Sequence, residues 1–223
     1  GGWQNVPLRS TLRPGVAAIT VTGDNFVPYR GTIDVEAAPP ACVVSLPSVF
    51  KRVEFPSLLL YDDFSDSASG WFVGSYPECI FEYRDGEYRL LVKQEGIYMY
   101  PSIAPLATDF SLEVDARYAS GATGAYGLLF GGNSTMTQWY VFRIRESDFD
   151  IVRFNNATWT ELQPWTVSPY INTGTASNHL RVVRDGTRID AYINGHLVKT
   201  LYDGAYTGLR RLDAFAQVFQ GQA

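Results

Sequence analysis

Charge is scarce in this sequence, and positive charge is scattered. Only 18% of the 223 residues are charged, with 18 Lys and Arg against 23 Asp and Glu, a formal net charge of -5. Neutralising a phosphate backbone takes several close basic groups, and no such cluster occurs, so nucleic acid is not an expected partner. Histidine and cysteine number two each. His179 and His196 sit at a strand end and beside a turn, and no nucleophile-elbow sequence accompanies them, which leaves a Ser-His-Asp triad unsupported. Two His and two Cys without ligand spacing give no zinc signature. No apolar run approaches the ~20 residues that cross a bilayer, so no membrane span is expected. The opening Gly1-Gly2-Trp3-Gln4 lacks the charged and apolar regions of a signal peptide, as expected of a mature or trimmed chain. No stretch gives an amphipathic helix longer than about two turns.

Apolar and aromatic residues are plentiful, at 46% and 14%, enough for a substantial core. The chain reads as two parts. Residues 1–57 carry Pro7, Pro14, Pro28, Pro39, Pro40, Pro47 and Pro56, too many for helix and too scattered for central strands. This is a Pro-rich N-terminal arm in which Ala17 to Thr22 and Thr32 to Glu36 are expected as short strands, forming a hairpin or adding to a sheet edge.

From residue 58 to 223 a period of two dominates. Phe110, Leu112, Val114, Ala116 and Tyr118 fall on one face of an expected strand, and Ser111, Glu113, Asp115 and Arg117 on the other. Tyr140, Phe142 and Ile144 alternate with Val141, Arg143 and Arg145, and Ile189, Ala191 and Ile193 with Arg188, Asp190 and Tyr192. Asp85-Gly86, Asp185-Gly186 and Asn194-Gly195 supply the positive-φ residues of tight hairpins. Turns about 8 to 12 residues apart predict an all-β, antiparallel two-sheet sandwich.

Tyr61-Asp-Asp-Phe-Ser-Asp-Ser-Ala-Ser-Gly-Trp71, Asp85-Gly-Glu-Tyr-Arg-Leu-Leu-Val92, the strand from Phe110 to Tyr118, and the stretch from Asn178 to Val198 together resemble the concanavalin A-like, laminin-G-like jelly rolls of secreted bacterial proteins. The resemblance covers about residues 58–219 and none of the arm. It implies two stacked, curved sheets with a binding site on the concave sheet or its rim loops. It implies no single activity, since lectins, glycosidases and adhesion modules share it.

Glu113-Val-Asp115-Ala-Arg-Tyr118 resembles the Glu-x-Asp-x-x-Glu strand of laminarinase-type retaining glycosidases. Those enzymes pair a carboxylate nucleophile with a second carboxyl acid/base. Here the last position is Tyr118, which cannot cycle a proton near neutral pH as a carboxyl does. Glu113 and Asp115 also have a structural explanation, as cross-strand partners of Arg143, Arg145, Arg181 or Arg188. Asp62, Asp63 and Asp66 are candidate oxygen ligands for calcium, and Asp is equally a common turn-former. Alternation puts Trp139 with Arg143 on the face away from the core, where an indole could stack on a sugar ring; the alternative is that Trp159 and Trp165 cap the sandwich and Trp139 lies beneath the arm. Cys42 and Cys79 would pair as a disulfide in an oxidising compartment, constraining the unfolded chain by about 4 kcal/mol, or stand as two buried free thiols.

The expected protein is therefore not an enzyme. It is a secreted, cell-surface carbohydrate-binding or adhesion module whose partner is a glycan or another surface polymer, with Trp139, Arg143, Glu113 and Asp115 as the expected ligand-binding residues. The alternative is a structural subunit of an extracellular filament or surface layer, self-associating through residues 1–57 by strand addition.

Overall fold

Strands form where alternation and turn residues predict them, although the first two begin at Gly15 and Tyr29, ahead of the expected Ala17 and Thr32. The computed structural model describes residues 15–21, 29–35, 58–101, 105–121 and 124–219, and no helix occurs among them. The chain divides into two units, Gly1–Ser57 and Leu58–Ala223. In the first, β1 (Gly15–Val21) and β2 (Tyr29–Val35) pair antiparallel, from Gly15 opposite Val35 to Val21 opposite Tyr29. This is the hairpin outcome for the two short strands expected in that part.

The second unit opens with an aromatic loop and a small sheet of β3 (Gly74–Ser75), β4 (Cys79–Arg84) and β5 (Glu87–Val92). Phe64 and Trp71 fold back onto the β4–β5 hairpin, with Trp71 5.2 Å and Phe64 5.8 Å from the Tyr88 ring. Asp85 and Gly86 between the strands adopt φ of 55° and 77°, the left-handed pair of a tight hairpin turn.

Thereafter come β6 (Tyr98–Met99), β7 (Leu106–Ala107), β8 (Phe110–Ala116), β9 (Gly124–Gly132), β10 (Gln138–Arg145), β11 (Asp148–Asn155) and β12 (Thr158–Val167). They are followed by β13 (Asn178–Asp185), β14 (Arg188–Ile193), β15 (His196–Tyr202) and β16 (Arg210–Val218). The large sheet runs β12-β11-β10-β9-β16-β6, with β7 also on β16, and the second sheet runs β15-β14-β13-β8; every pairing is antiparallel. The return of β16 to the middle of the large sheet, and of β8 to the edge beyond β13, gives the crossing connections of a jelly-roll sandwich.

One core lies between the two sheets. Leu128, Phe130, Tyr140, Phe142, Ile144, Phe149 and Ile151 from the large sheet meet Phe110, Leu180, Val182, Ile189, Ala191 and Ile193 from the smaller one. Removing each large side chain from water contributes about 1.5–3 kcal/mol. The Tyr140 hydroxyl, carried into this core, donates to Asp203 Oδ1 at 2.7 Å, and Arg153 meets the other Asp203 oxygen at 2.6 Å. A buried polar group is thereby satisfied instead of stranded.

The alternation on β10 misleads in one respect. Val141 and Arg143 were expected on a wet face, yet both are buried. A second apolar cluster of Leu129, Trp139, Val141, Val152, Phe154 and Phe215 covers the outer face of the large sheet, with Tyr98, Tyr100 and Met136 packed against it. Both faces of β10 are therefore interior, because aromatics from β6 and β12 fold over its outer side.

Candidate functional site

The four residues expected to bind ligand fall into two pairs on opposite outsides of the sandwich. Glu113 and Asp115 alternate with Leu112 and Val114, which pack on the central core, so they face outward from the smaller sheet. Trp139 and Arg143 alternate with Tyr140, Phe142 and Ile144, so they face outward from the large sheet. They do not form one surface. Trp139 is also fully buried, stacked 4.4 Å from Phe154 and edged by Trp159, Tyr98 and Phe215, which corrects the expectation that its indole lies open to a ligand.

Arg143 is the centre of the outer face. Its direct cross-strand partner on β11 is Asp150, and the two form a bidentate pair, Nε to Oδ1 at 2.8 Å and Nη2 to Oδ2 at 2.7 Å. Its remaining terminal nitrogen donates to the Gln217 side-chain oxygen on β16. Between them Arg143 faces Gly127 on β9, which leaves the guanidinium an open lane. A methyl at Gly127 would come within 2.0 Å of the Phe142 carbonyl oxygen, so the position admits only glycine. Burial pushes the Asp150 carboxyl above its ordinary value while the Arg143 hydrogen bonds and charge pull it down.

Three aromatic rings enclose this pair. The Arg143 guanidinium carbon lies 5.3 Å from the Trp159 ring centre, 5.1 Å from Trp165 and 5.3 Å from Phe219. Arg145, one pleat further, stands 4.0 Å over Trp165 and 3.8 Å from Asp148. Trp159 is opposite Phe154, and Glu161 opposite Val152, so both share the outer face with that second cluster. Trp159 is 37% exposed. Glu161 is exposed as well, and Trp165 half-buried. Two indoles thus flank a buried guanidinium–carboxylate pair, and an exposed carboxylate lies between them in the chain. The sequence signal was available in Trp159 and Trp165, six residues apart on one strand; Asp150, Glu161 and Gln217 carried none.

On the opposite side, Glu113 and Asp115 have basic neighbours on β13. Arg181 is the direct partner of Glu113, 3.2 Å away, and His179 that of Asp115, with Nδ1 at 2.9 Å. The second ring nitrogen of His179 is 3.4 Å from Glu113. Arg181 also donates to Ser111 at 3.0 Å. Tyr118, at the end of the same segment, donates its hydroxyl to the Gly121 carbonyl oxygen. This is a cross-strand ladder of acidic and basic side chains on an accessible face.

The three aspartates considered for calcium each close their own turn. Asp62 accepts from the Phe64 N–H at 2.8 Å, Asp63 from Ser65 at 3.0 Å and Asp66 from Ala68 at 2.8 Å. Among the described residues no group of three acidic, His or Cys side chains is arranged to hold a metal ion. Cys79 is a free, half-buried thiol whose pKa burial raises; Cys42, its expected disulfide partner, lies outside the described residues.

No protein-family model and no curated protein sequence matches the chain. Solved structures do resemble it. A GlcNAcα1-4Gal-releasing endo-β-galactosidase from Clostridium perfringens is 10% identical, with a TM-score of 0.50 over 73% of this chain and 57% of its own. A Bacteroides ovatus mixed linkage glucan GH16 protein in complex with a product is 8% identical, with a TM-score of 0.50 over 73% of this chain and 87% of its own. Carbohydrate-binding module CBM66 from Bacillus subtilis is 19% identical, with a TM-score of 0.46 over 57% of this chain and 82% of its own. The fold is the concanavalin A-like jelly roll expected for residues 58–219.

Proposed function

We propose that this chain is a non-catalytic, secreted carbohydrate-binding module whose ligand docks along the β12 edge of the large sheet. The observation that carries the reading is the pair of indoles, Trp159 and Trp165, flanking one buried guanidinium. Flat aromatic faces match the apolar C–H faces of sugar rings, and polar groups beside them match the hydroxyls. Arg143 itself is 5% exposed, so its part is positional: it holds the two indoles, while Glu161 and Arg145 reach toward solvent. Two neighbours of the same fold carry names of proteins acting on glycans, which supports the ligand class without fixing it.

The non-catalytic part of this reading draws its support from the acidic groups among the described residues. Asp150 is tied bidentately to Arg143 at 1% exposure, and Glu113 and Asp115 are engaged by Arg181 and His179. Neither arrangement offers a nucleophile with a second carboxyl poised to cycle a proton. Native gels cast with a panel of soluble polysaccharides test the reading. At least one polymer is expected to retard the protein, Trp159→Ala and Trp165→Ala to run freely in it, and no reducing ends to be released. Migration unaffected by every polymer would overturn it, and hydrolysis abolished by Glu113→Gln would replace it with the glycosidase reading.

A second reading, self-association through residues 1–57, is supported by the β1–β2 hairpin, to which no third strand is paired among the described residues, since a two-stranded sheet gains by pairing. Light scattering of the full chain over a wide concentration range decides it. A monomer mass throughout removes the filament and surface-layer alternatives.

A further inference from the structure

The two arginines beside the tryptophan edge of the large sheet each lie against a carboxylate. Arg143 is matched by Asp150 at 2.7 Å, and Arg145 has Asp148 within 3.8 Å. Both bases beside the indoles thus have a carboxylate of β11 as neighbour, hydrogen-bonded for Arg143 and at 3.8 Å for Arg145. Glu161 stands two residues after Trp159 and four before Trp165, exposed, opposite the apolar Val152. Its charge is felt across the face, where it contributes to raising the Asp150 carboxyl. The whole chain adds to the same sign, at -5.

Resting on the reading of this edge as a glycan site, we infer that Glu161 sets its specificity, making it select sugar chains without acid groups and reject polyuronates and sulfated polymers. A carboxylate accepts hydrogen bonds only, so it is satisfied by the hydroxyl donors of a neutral sugar. A uronate or sulfate brought to the same place would put two like charges side by side at an exposed edge, a repulsion that weakens as salt rises. Among the described residues the two arginines beside the indoles, Arg143 and Arg145, already lie against Asp150 and Asp148. Selection therefore comes from repulsion of the wrong ligand as much as from attraction of the right one.

The test uses matched polymers: the neutral polysaccharide retained most strongly in the gel panel, and the same polymer after oxidation of its primary hydroxyls to carboxyls. Affinities of the full-length wild-type protein and of Glu161→Gln are measured by titration calorimetry at low and at high salt. Wild type is expected to bind the neutral polymer about tenfold more tightly than the oxidised one at low salt. Glu161→Gln should narrow that gap by gaining affinity for the oxidised polymer, and high salt should narrow it in wild type. Equal affinity of wild type for both polymers, or a gap that Glu161→Gln leaves unchanged, overturns the inference while leaving a glycan site standing. Failure of both proteins on both polymers and on the whole panel overturns the glycan reading itself, and the inference with it.

Discussion

Arg143 and Asp150 are direct cross-strand partners in the large sheet, joined by two hydrogen bonds of 2.8 and 2.7 Å and both almost wholly removed from solvent. Trp159, Trp165, Phe219 and Gln217 are arranged about this pair. Removing one member leaves the other buried and uncompensated, which typically costs about 3–5 kcal/mol. Asp150→Ala is accordingly expected to lower the urea midpoint strongly, whereas the double variant Arg143→Met, Asp150→Leu recovers most of the loss. A double variant as unstable as the single would contradict the assignment of the cost to an unpaired charge.

Gly127 gives a sharper steric prediction. Its added methyl would collide with backbone, the Phe142 carbonyl oxygen at 2.0 Å and the Arg143 Cα at 2.7 Å, and backbone in a sheet centre cannot step aside. Gly127→Ala is expected to destabilise by about 1–3 kcal/mol or more and to disturb the neighbouring Arg143. Thermal unfolding and indole fluorescence read the two effects together.

Tyr140 carries the one hydroxyl that joins the central core to the Asp203–Arg153 pair, and burial, with the Asp203 bond, pushes its phenol well above the usual range. Tyr140→Phe keeps the ring and removes the donor to Asp203 as well as an acceptor 3.3 Å from the Tyr206 N–H. The expected loss is about 1–3 kcal/mol, the cost of leaving a buried polar group unpaired. Chemical denaturation measures it, and an unchanged midpoint would mean that water takes the hydroxyl's place.

Glu87 supplies a pH prediction. Two hydrogen bonds of 2.8 Å from Arg117 hold its carboxyl below the ordinary carboxylate value. A carboxyl depressed by folding contributes stability that is present above its unfolded value and lost as pH falls through its folded one. Arg117→Ala should therefore lower the denaturation midpoint near neutral pH, and the difference from wild type should vanish in acid. The difference is small because both side chains are largely exposed. A gap that persists with Glu87 protonated would assign the effect to packing.

Much of this fold is legible in the residues. Asn194-Gly195 has the two positive φ values, 50° and 83°, that an Asn-Gly pair between alternating runs predicts, and Gly186 turns the preceding hairpin at 60°. Alternation on β8 and β14 assigns the core-facing residues correctly, although on β14 the outward Asp190 is itself buried beneath Arg188 and Thr200. It fails on β10, where Val141 and Arg143 are as interior as Phe142. Period two distinguishes two faces and cannot say whether the second is wet, because its cover of Tyr98 and Trp159 comes from strands distant in sequence. For the same reason Glu113 and Trp139 looked like parts of one surface, although strand order sends them to different sheets. Asp150 and Gln217 gave no signal, being placed beside Arg143 only by cross-strand register.

The central claim is that the Trp159–Trp165 edge binds a sugar chain. Its most direct measurement is the quenching or blue shift of indole fluorescence as the retained polysaccharide is titrated into wild type and into Trp159→Ala. The account predicts a saturable change in wild type and about a tenfold or greater weakening in the variant, compared where both proteins remain folded, because Trp159 also covers Trp139 and Phe154 and its removal lowers the unfolding midpoint. An equal, saturable response in both proteins would contradict it by placing the binding surface elsewhere.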